Sequence, residues 1–370
     1  MIYLDNAATT RRKPISVYTS TISHAVHGGN AGRGVNKLSL GGVNTIINAQ
    51  DKIAELFSVP DADNIIFTHN ATYALNMAIL GVLNKGDHVV TTEMDHNSVL
   101  RPVNLHGNFS IAKADKKGFV SPLEIRRCIK HNTKLIICTH VSNVCGTVEP
   151  VREIGRIARE KGALFLLDAS QSAGNVHVNM LDIGADIIAC PGHKGLMGPM
   201  GTGILCIKNP DKVNAIIVGG TGSMSESPYQ PLSMPEKFHS GTLNTPAIAG
   251  LTKGVNFILK EGVKNIGAHE YFLNSTLRGE LKNMNNVTLY GTGETGITAF
   301  NIEGLGSEDA AHRLGDNVIV RAGYHCAPLA HKALGTSDTG AVRISFGYFN
   351  TMAHVRKVID IIYKISKSVI

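Results

Sequence analysis

Short apolar runs recur through the first two hundred residues at intervals filled by stretches of helical periodicity, and this alternation leaves few folds open to the chain. The runs are Asn64-Ile65-Ile66-Phe67-Thr68, His88-Val89-Val90-Thr91, Lys134 to Thr139, Ala163 to Leu167 and Asp186-Ile187-Ile188-Ala189. Between two of them Val151, Ile154, Ile157 and Ala158 recur at helical spacing, and Gly162 supplies a stop. Strand, helix, strand repetition predicts an α/β fold whose mostly parallel sheet is covered by helices on both faces. In such sheets ligands bind beyond the carboxyl ends of the strands. The segments that follow the apolar runs are therefore where chemistry is expected.

The pattern changes after Gly250. Longer helical stretches, Ala249 to Leu259 and Glu270 to Met284, precede strand-like Gly296 to Ile302 and Val318-Ile319-Val320, and a helix from Ala353 to Ser366 closes the chain. With 370 residues, one large and one smaller domain are expected. The division is 15–250 for the large domain, with 1–14 and 251–370 forming a smaller α+β domain. The Ser-, Met- and Pro-rich stretch from Gly219 to Pro235 reads as a mobile loop.

Composition excludes more than it selects. The net charge of +7 is dispersed, apart from Arg11-Arg12-Lys13 and Lys113 to Lys117, and no aromatic-interleaved basic stripe accompanies it, so nucleic-acid binding is not expected. An acidic protein partner or anionic substrates fit the charge equally well. Six cysteines show neither Cys-x-x-Cys spacing nor a disulfide framework, so no metal site is expected, and Cys138 and Cys206 read as small core residues. No basic n-region with an apolar stretch opens the chain and no run is long enough to span a bilayer, so the expected location is cytoplasmic, off the membrane.

Three segments carry chemistry. Asp168-Ala169-Ser170-Gln171 and Gly192-His193-Lys194 each follow an apolar run, and Arg321-Ala322-Gly323-Tyr324-His325-Cys326 offers a thiol. A carboxylate to meet a pyridine nitrogen and a lysine amine to bond an aldehyde are what pyridoxal phosphate requires of a protein. The glycines around Lys194 are expected to let the backbone approach a ligand closely.

With these segments the chain resembles the class V aminotransferase family, fold-type I enzymes of pyridoxal 5'-phosphate, and within it the type II cysteine desulfurases and selenocysteine lyases with their Arg-x-Gly-His-His-Cys segment. The resemblance runs from Tyr3-Leu4-Asp5-Asn6-Ala7-Ala8-Thr9-Thr10 through His140-Val141-Ser142-Asn143 to Arg343-Ile344-Ser345 and Tyr348-Phe349-Asn350-Thr351. It implies that Thr68-His69-Asn70-Ala71-Thr72 holds the cofactor phosphate together with His193, with Ala71 where relatives have a first threonine. A plain helix cap is the other reading of Thr72. Asp168 would meet the ring nitrogen, Gln171 the phenolic oxygen, and His96 would stack on the ring and move protons. Lys194 would hold the cofactor, and Asn143 would sit beside it or beside the substrate carboxylate.

The resemblance also implies that Ser240 to Pro246, with Thr242, reaches the phosphate of the opposite subunit of a homodimer. Arg343 would clamp the carboxylate of an amino acid, with Ala8, Asn36 and Arg321 near the substrate. Cys326 would attack the sulfur of L-cysteine and keep it as a persulfide for an acceptor protein, leaving L-alanine. Three departures bear on these roles: Pro191 replaces a hydroxyl residue near the phosphate, Tyr324 replaces the first histidine of the pair, and Asn36 replaces a histidine. Selenocysteine lyase and cysteine sulfinate desulfinase therefore stay open on the same scaffold. An aminotransferase and a non-catalytic sulfur-carrier scaffold are the more distant readings.

Overall fold

The computed structural model describes residues 1–32, 36–315 and 317–369. A two-residue strand, β1 (Ile2–Tyr3), leads into helices α1 (Ile15–His27) and α2 (Lys37–Phe57). The predicted alternation follows: β2 (Ile65–Thr68), α3 (Ala71–Val82), β3 (His88–Thr92), α4 (Asn97–His106), β4 (Phe109–Ala112), α5 (Pro122–Cys128), β5 (Thr133–Thr139), α6 (Val151–Glu160), β6 (Leu164–Asp168), α7 (Met180–Ile183), β7 (Ile187–Pro191) and β8 (Gly203–Ile207). Seven of these strands form one sheet in the order β2-β8-β7-β6-β5-β3-β4. Every pairing among β4, β3, β5, β6 and β7 is parallel, while β8 runs antiparallel to both neighbours. The α/β class with a mostly parallel sheet is thus observed, with one reversed strand that the apolar pattern does not reveal.

Continuous burial along β6 and β7 explains why they are apolar at every position before Asp168, the last residue of β6: helices cover both faces of the sheet. The α6 stripe of Val151, Ile154, Ile157 and Ala158 is buried as its spacing predicts. Cys138 and Cys206 lie in the core, and all six cysteines are free thiols.

The later elements are α8 (Thr245–Glu261), α9 (Val263–Leu281), β9 (Val287–Tyr290), β10 (Ile297–Ile302), α10 (Ser307–Leu314), β11 (Val318–Ile319), α11 (Pro328–Leu334), β12 (Val342–Ser345) and α12 (Met352–Lys367). An antiparallel sheet, β12-β10-β9, packs against α9 and α10, which α12 joins, and β1 pairs in parallel with β11. Ile2 and Leu4 share a hydrophobic core with Leu277, Phe300 and Val358. Helix α8 crosses residue 250, and its Leu251, Val255 and Ile258 pack into the core of the large sheet. The stretch from Gly219 to Pro235 forms turns and bends without helix or strand. Among the described residues no helix is long and apolar enough to cross a membrane.

Candidate active site

Strands that run in the same direction through the sheet, from the edge strand β2 to the central β6, deliver polar side chains at or just past their carboxyl ends. Thr68 ends β2 and Thr72 opens α3; Thr92 ends β3 and His96 follows; Thr139 ends β5 and Asn143 follows; Asp168 ends β6; Pro191 ends β7 and His193 and Lys194 follow. Ala71, Thr72, His96, Asn143, Asp168, Gln171, His193 and Lys194 converge on one cavity of about 120 Å3. Eight of the residues expected around a cofactor are therefore brought together.

Lys194 is half-buried, and desolvation, reinforced by the Arg343 charge, lowers its ammonium pKa to about 8 although Asp168 acts in the opposite sense. Asp168 is 2% exposed and accepts from the Ser170 N–H at 2.9 Å through Oδ1. A buried carboxylate with one short-range donor is suited to a cationic ring N–H. At the opposite end, α3 presents its first turn. Asn70 is the cap, accepting from the Tyr73 N–H at 3.1 Å. The cap reading of Thr72 is thereby replaced, since the Thr72 hydroxyl lies 2.8 Å from Ser98 Oγ instead. The amides of Ala71 and Thr72 precede the first intrahelical bonds, so they and the helix dipole face the cavity as an anion site. His193 adds its ring, held by a 3.0 Å contact between Nδ1 and Thr9 Oγ1, and burial lowers its pKa to about 4.

His96 caps its own helix. Its Nδ1 accepts from the Ser98 N–H at 3.0 Å, which places the ring proton of the neutral form on Nε2. Burial is the largest cause of a lowered pKa there, with Asp168 opposing. Gln171, which lines the cavity, donates Nε2–H to the Ala7 carbonyl at 3.0 Å and has a second N–H to give.

Arg343 lies beside these groups rather than on a solvated strand edge: it is 2% exposed, with Nη2 donating to Asp5 Oδ1 at 2.7 Å and Nη1 to the Asn143 carbonyl at 2.8 Å. Its Nε has no partner among the described residues. The main chains of Arg321 and Arg343 bond to each other, and the Arg321 side chain is exposed. Cys326 is exposed and does not line the cavity, yet its loop is fastened to it. The Asn143 Nδ2–H donates to the His325 carbonyl at 2.7 Å and the Asn97 N–H to the Cys326 carbonyl at 2.8 Å. Both His325 and Cys326 hold left-handed backbone, φ 50° and 57°.

This arrangement agrees with the comparisons. The family model for aminotransferase class-V matches residues 2–358. The chain belongs to that family. A probable cysteine desulfurase of Methanothermobacter thermautotrophicus is 35% identical over 369 residues, covering 96% of this chain and 92% of the relative. A cysteine desulfurase of Haloferax volcanii is 30% identical, covering 98% and 88%. The apo structure of a cysteine desulfurase from Thermococcus onnurineus superposes with a TM-score of 0.93 at 32% identity, covering 99% of this chain and 95% of that one.

Several class-V expectations fall elsewhere in the structure. Asn36 accepts from the Leu38 and Ser39 N–H groups as the cap of α2, and it stands outside the cavity; Arg33, Gly34 and Val35 lie outside the described residues. Ala8 sits in the turn from Asp5 to Thr9, its N–H on the Asp5 carbonyl at 3.1 Å, and Thr242 is exposed away from the cavity of its own chain. Gly192 and Gly195 need no ligand to explain them. A Cβ on Gly192 would strike Thr202 Oγ1 and one on Gly195 the Ala173 carbonyl, so here the close approach expected of a ligand is made by the protein itself. Three further residues escaped notice: Asn70, Asp5 and Asp95. Asp95 is fully buried and accepts from Thr91 Oγ1, Thr92 Oγ1 and the Thr92 and Thr139 amides, pinning the turn that carries His96. Asn70 and Asp95 stand just before helix starts, and position was the available signal.

Proposed function

We propose that this class-V protein is a pyridoxal-phosphate-dependent cysteine desulfurase that converts L-cysteine to L-alanine and keeps the sulfur on Cys326. The observation that carries the reading is the coupling of two places: a lysine–aspartate cavity, and an exposed thiol whose loop is bonded to Asn143, which lines that cavity, and to Asn97, which stands between the lining residues His96 and Ser98. The donor set fits the cofactor. Lys194 would bond its aldehyde carbon, Asp168 its ring nitrogen and Gln171 its phenolic oxygen, His96 would cover the ring, and the amides of Ala71 and Thr72 with His193 would hold its phosphate. When bound, the cofactor supplies an electron sink at the substrate's α-carbon.

The chain's own residues do the rest. Lys194, with a pKa near neutrality, takes and returns a proton. Arg343 turns its planar fork to the substrate carboxylate, beside Asn143 and with Ala8, Arg321 and Asn36 on the approach. The Cys326 thiolate attacks the substrate sulfur: an S–S bond forms, the Cβ–S bond breaks with its electron pair left on carbon, and a proton completes alanine. A thiol acceptor then removes the sulfur. The exposure of Cys326 supports transfer to an acceptor protein, and a groove beside its loop, lined by Leu100, Leu105, Phe109 and Leu329, offers apolar surface for one.

The same reading includes a cytoplasmic homodimer in which Thr242 completes the phosphate site of a second copy, and the two-domain division at residues 14–15 and 250–251. Exposed Ile15, Ile22 and Val26 on α1, with Leu38 and Leu40 on α2, support an apolar interface between copies. The test is alanine and sulfide formation from L-cysteine under reducing conditions by the intact protein and by Cys326→Ala. Products from the intact protein alone establish thiol-dependent desulfuration. Equal rates from both proteins on cysteine, or turnover only of selenocysteine or cysteine sulfinate, replace it with the lyase or desulfinase reading, and consumption of a keto acid with transamination.

A further inference from the structure

Behind the proposed cofactor cavity lies a second, smaller one of about 20 Å3, room for a single water molecule. Gln171 and Lys194 belong to the walls of both. The far side is formed by Asn175 and by Glu270 of α9, which is 5% exposed. Asn175 Nδ2–H donates to Glu270 Oε2 at 3.0 Å, tying α9 to the turn that begins at Asp168. The spacing is fixed by two close approaches. A Cβ on Gly296 would come within 2.9 Å of Glu270 Cβ, and one on Gly267 would strike the Asn175 carbonyl.

Besides Glu270 itself, Lys194 is the one charged side chain in this wall; the N-terminal segment contributes Asn6 and Thr10, and β10 and the end of β12 contribute Ile297, Ser345 and Phe346. Burial raises the Glu270 pKa to about 8, with the Asn175 bond opposing, which favours the neutral acid at pH 7. A buried neutral acid needs an acceptor for its O–H. Asn175 Oδ1 is buried and has no partner, and Gln171, having given Nε2–H to Ala7, retains its carbonyl oxygen. One water in the cavity would give all three groups a partner, accepting from Glu270 and donating to Asn175 Oδ1 and Gln171 Oε1.

We propose that Glu270 is a positioning residue: with Asn175 it holds a water against the back of Gln171 and Lys194, and thereby sets the angle at which the Gln171 amide meets the cofactor's ring oxygen. This rests on the reading of the front cavity as the pyridoxal phosphate site. The carboxyl contributes as an acid, so Glu270→Gln preserves the role, whereas Glu270→Leu fills the same space and removes it.

The experiment compares the holoenzyme with these two variants. In the infrared, the difference between wild type and Glu270→Gln at pH 7 should show the carbonyl band of a protonated acid. A high-resolution crystal structure should show the water in wild type and Glu270→Gln and its loss in Glu270→Leu. Glu270→Gln should keep kcat within about twofold, and Glu270→Leu should lower it roughly tenfold with KM changed less than about twofold. The absorption band of the bound cofactor should move only in the leucine variant. Above pH 8 wild type should lose activity more steeply than Glu270→Gln. A dry cavity, a missing acid band, a leucine variant with wild-type kcat and absorption, or identical alkaline losses in wild type and Glu270→Gln would each overturn the proposal. Failure of the wild type to bind the cofactor would sink the reading of the front cavity instead, while the band and the water remain measurable on the free protein.

Discussion

The floor of the proposed cofactor cavity and the loop that carries Cys326 are built on opposite principles. On the floor, Asp168 ends one buried strand and Lys194 follows another; the carboxylate is closed off from water and the lysine is half-buried, each set by the sheet beneath it. The loop has no strand under it. It holds two consecutive residues in left-handed backbone and is tethered through side-chain and main-chain bonds from Asn143 and Asn97. Groups that tune a cofactor profit from dryness and immobility, because a low local dielectric strengthens each charge they present. A thiol that must meet a substrate and then an acceptor has to face water, so its position is set by a few bonds at the loop's carbonyls.

The sharpest way to break this contrast is Lys194→Ala. Cofactor absorbance and alanine formation should both disappear, with turnover falling by at least about 10³-fold. Alkylation of Cys326 in the free protein should keep its wild-type rate, because the loop does not hang on the lysine. A parallel change in alkylation would show that floor and loop are one unit. The next effect is smaller and concerns pH. The lowered Lys194 pKa of about 8 means that the neutral, attacking amine grows as pH rises and is nearly complete above that value. Cofactor uptake by the free protein should therefore quicken roughly tenfold from pH 7 to pH 9 and then level. An ordinary lysine would give about a hundredfold rise over that interval and no plateau, and a rate following that course would mean that the floor is wet.

How much of this was legible in the sequence differs between the same two regions. The floor was readable because an apolar run fixes a buried strand, and whatever follows it lies at the sheet's carboxyl edge; Asp168, His193 and Lys194 needed nothing more. Direction was not encoded: Gly203 to Ile207 is apolar throughout and packs equally well either way, so the reversal of β8 was invisible. Asn36 shows the limit of motif position. Its place suggests a substrate contact and says nothing of the second task the structure gives it, the cap of α2, where its Oδ1 accepts from the Leu38 and Ser39 N–H groups. The Asp5–Arg343 pair joins residues from the two ends of the chain, and no local pattern announces a contact across that separation.

The smallest expected effect tests the loop's tethers directly. In Asn143→Ala the bond to the His325 carbonyl is lost, while Arg343 still reaches the main-chain carbonyl of residue 143. One hydrogen bond to a half-buried carbonyl contributes about 1 kcal/mol. That corresponds to about a fivefold change in how often the loop holds its docked position, because the Asn97 bond remains as the second tether. Turnover should fall about threefold to tenfold. Alkylation of Cys326 should rise by a similar factor as the thiol spends more time away from the cavity, and cofactor absorbance should stay within a few nanometres by the same reasoning that separates floor from loop. A shifted cofactor band would assign Asn143 to the floor. Unchanged alkylation with slowed turnover would mean that the left-handed backbone of His325 and Cys326 is maintained by the loop itself, and that Asn143 acts on the substrate alone.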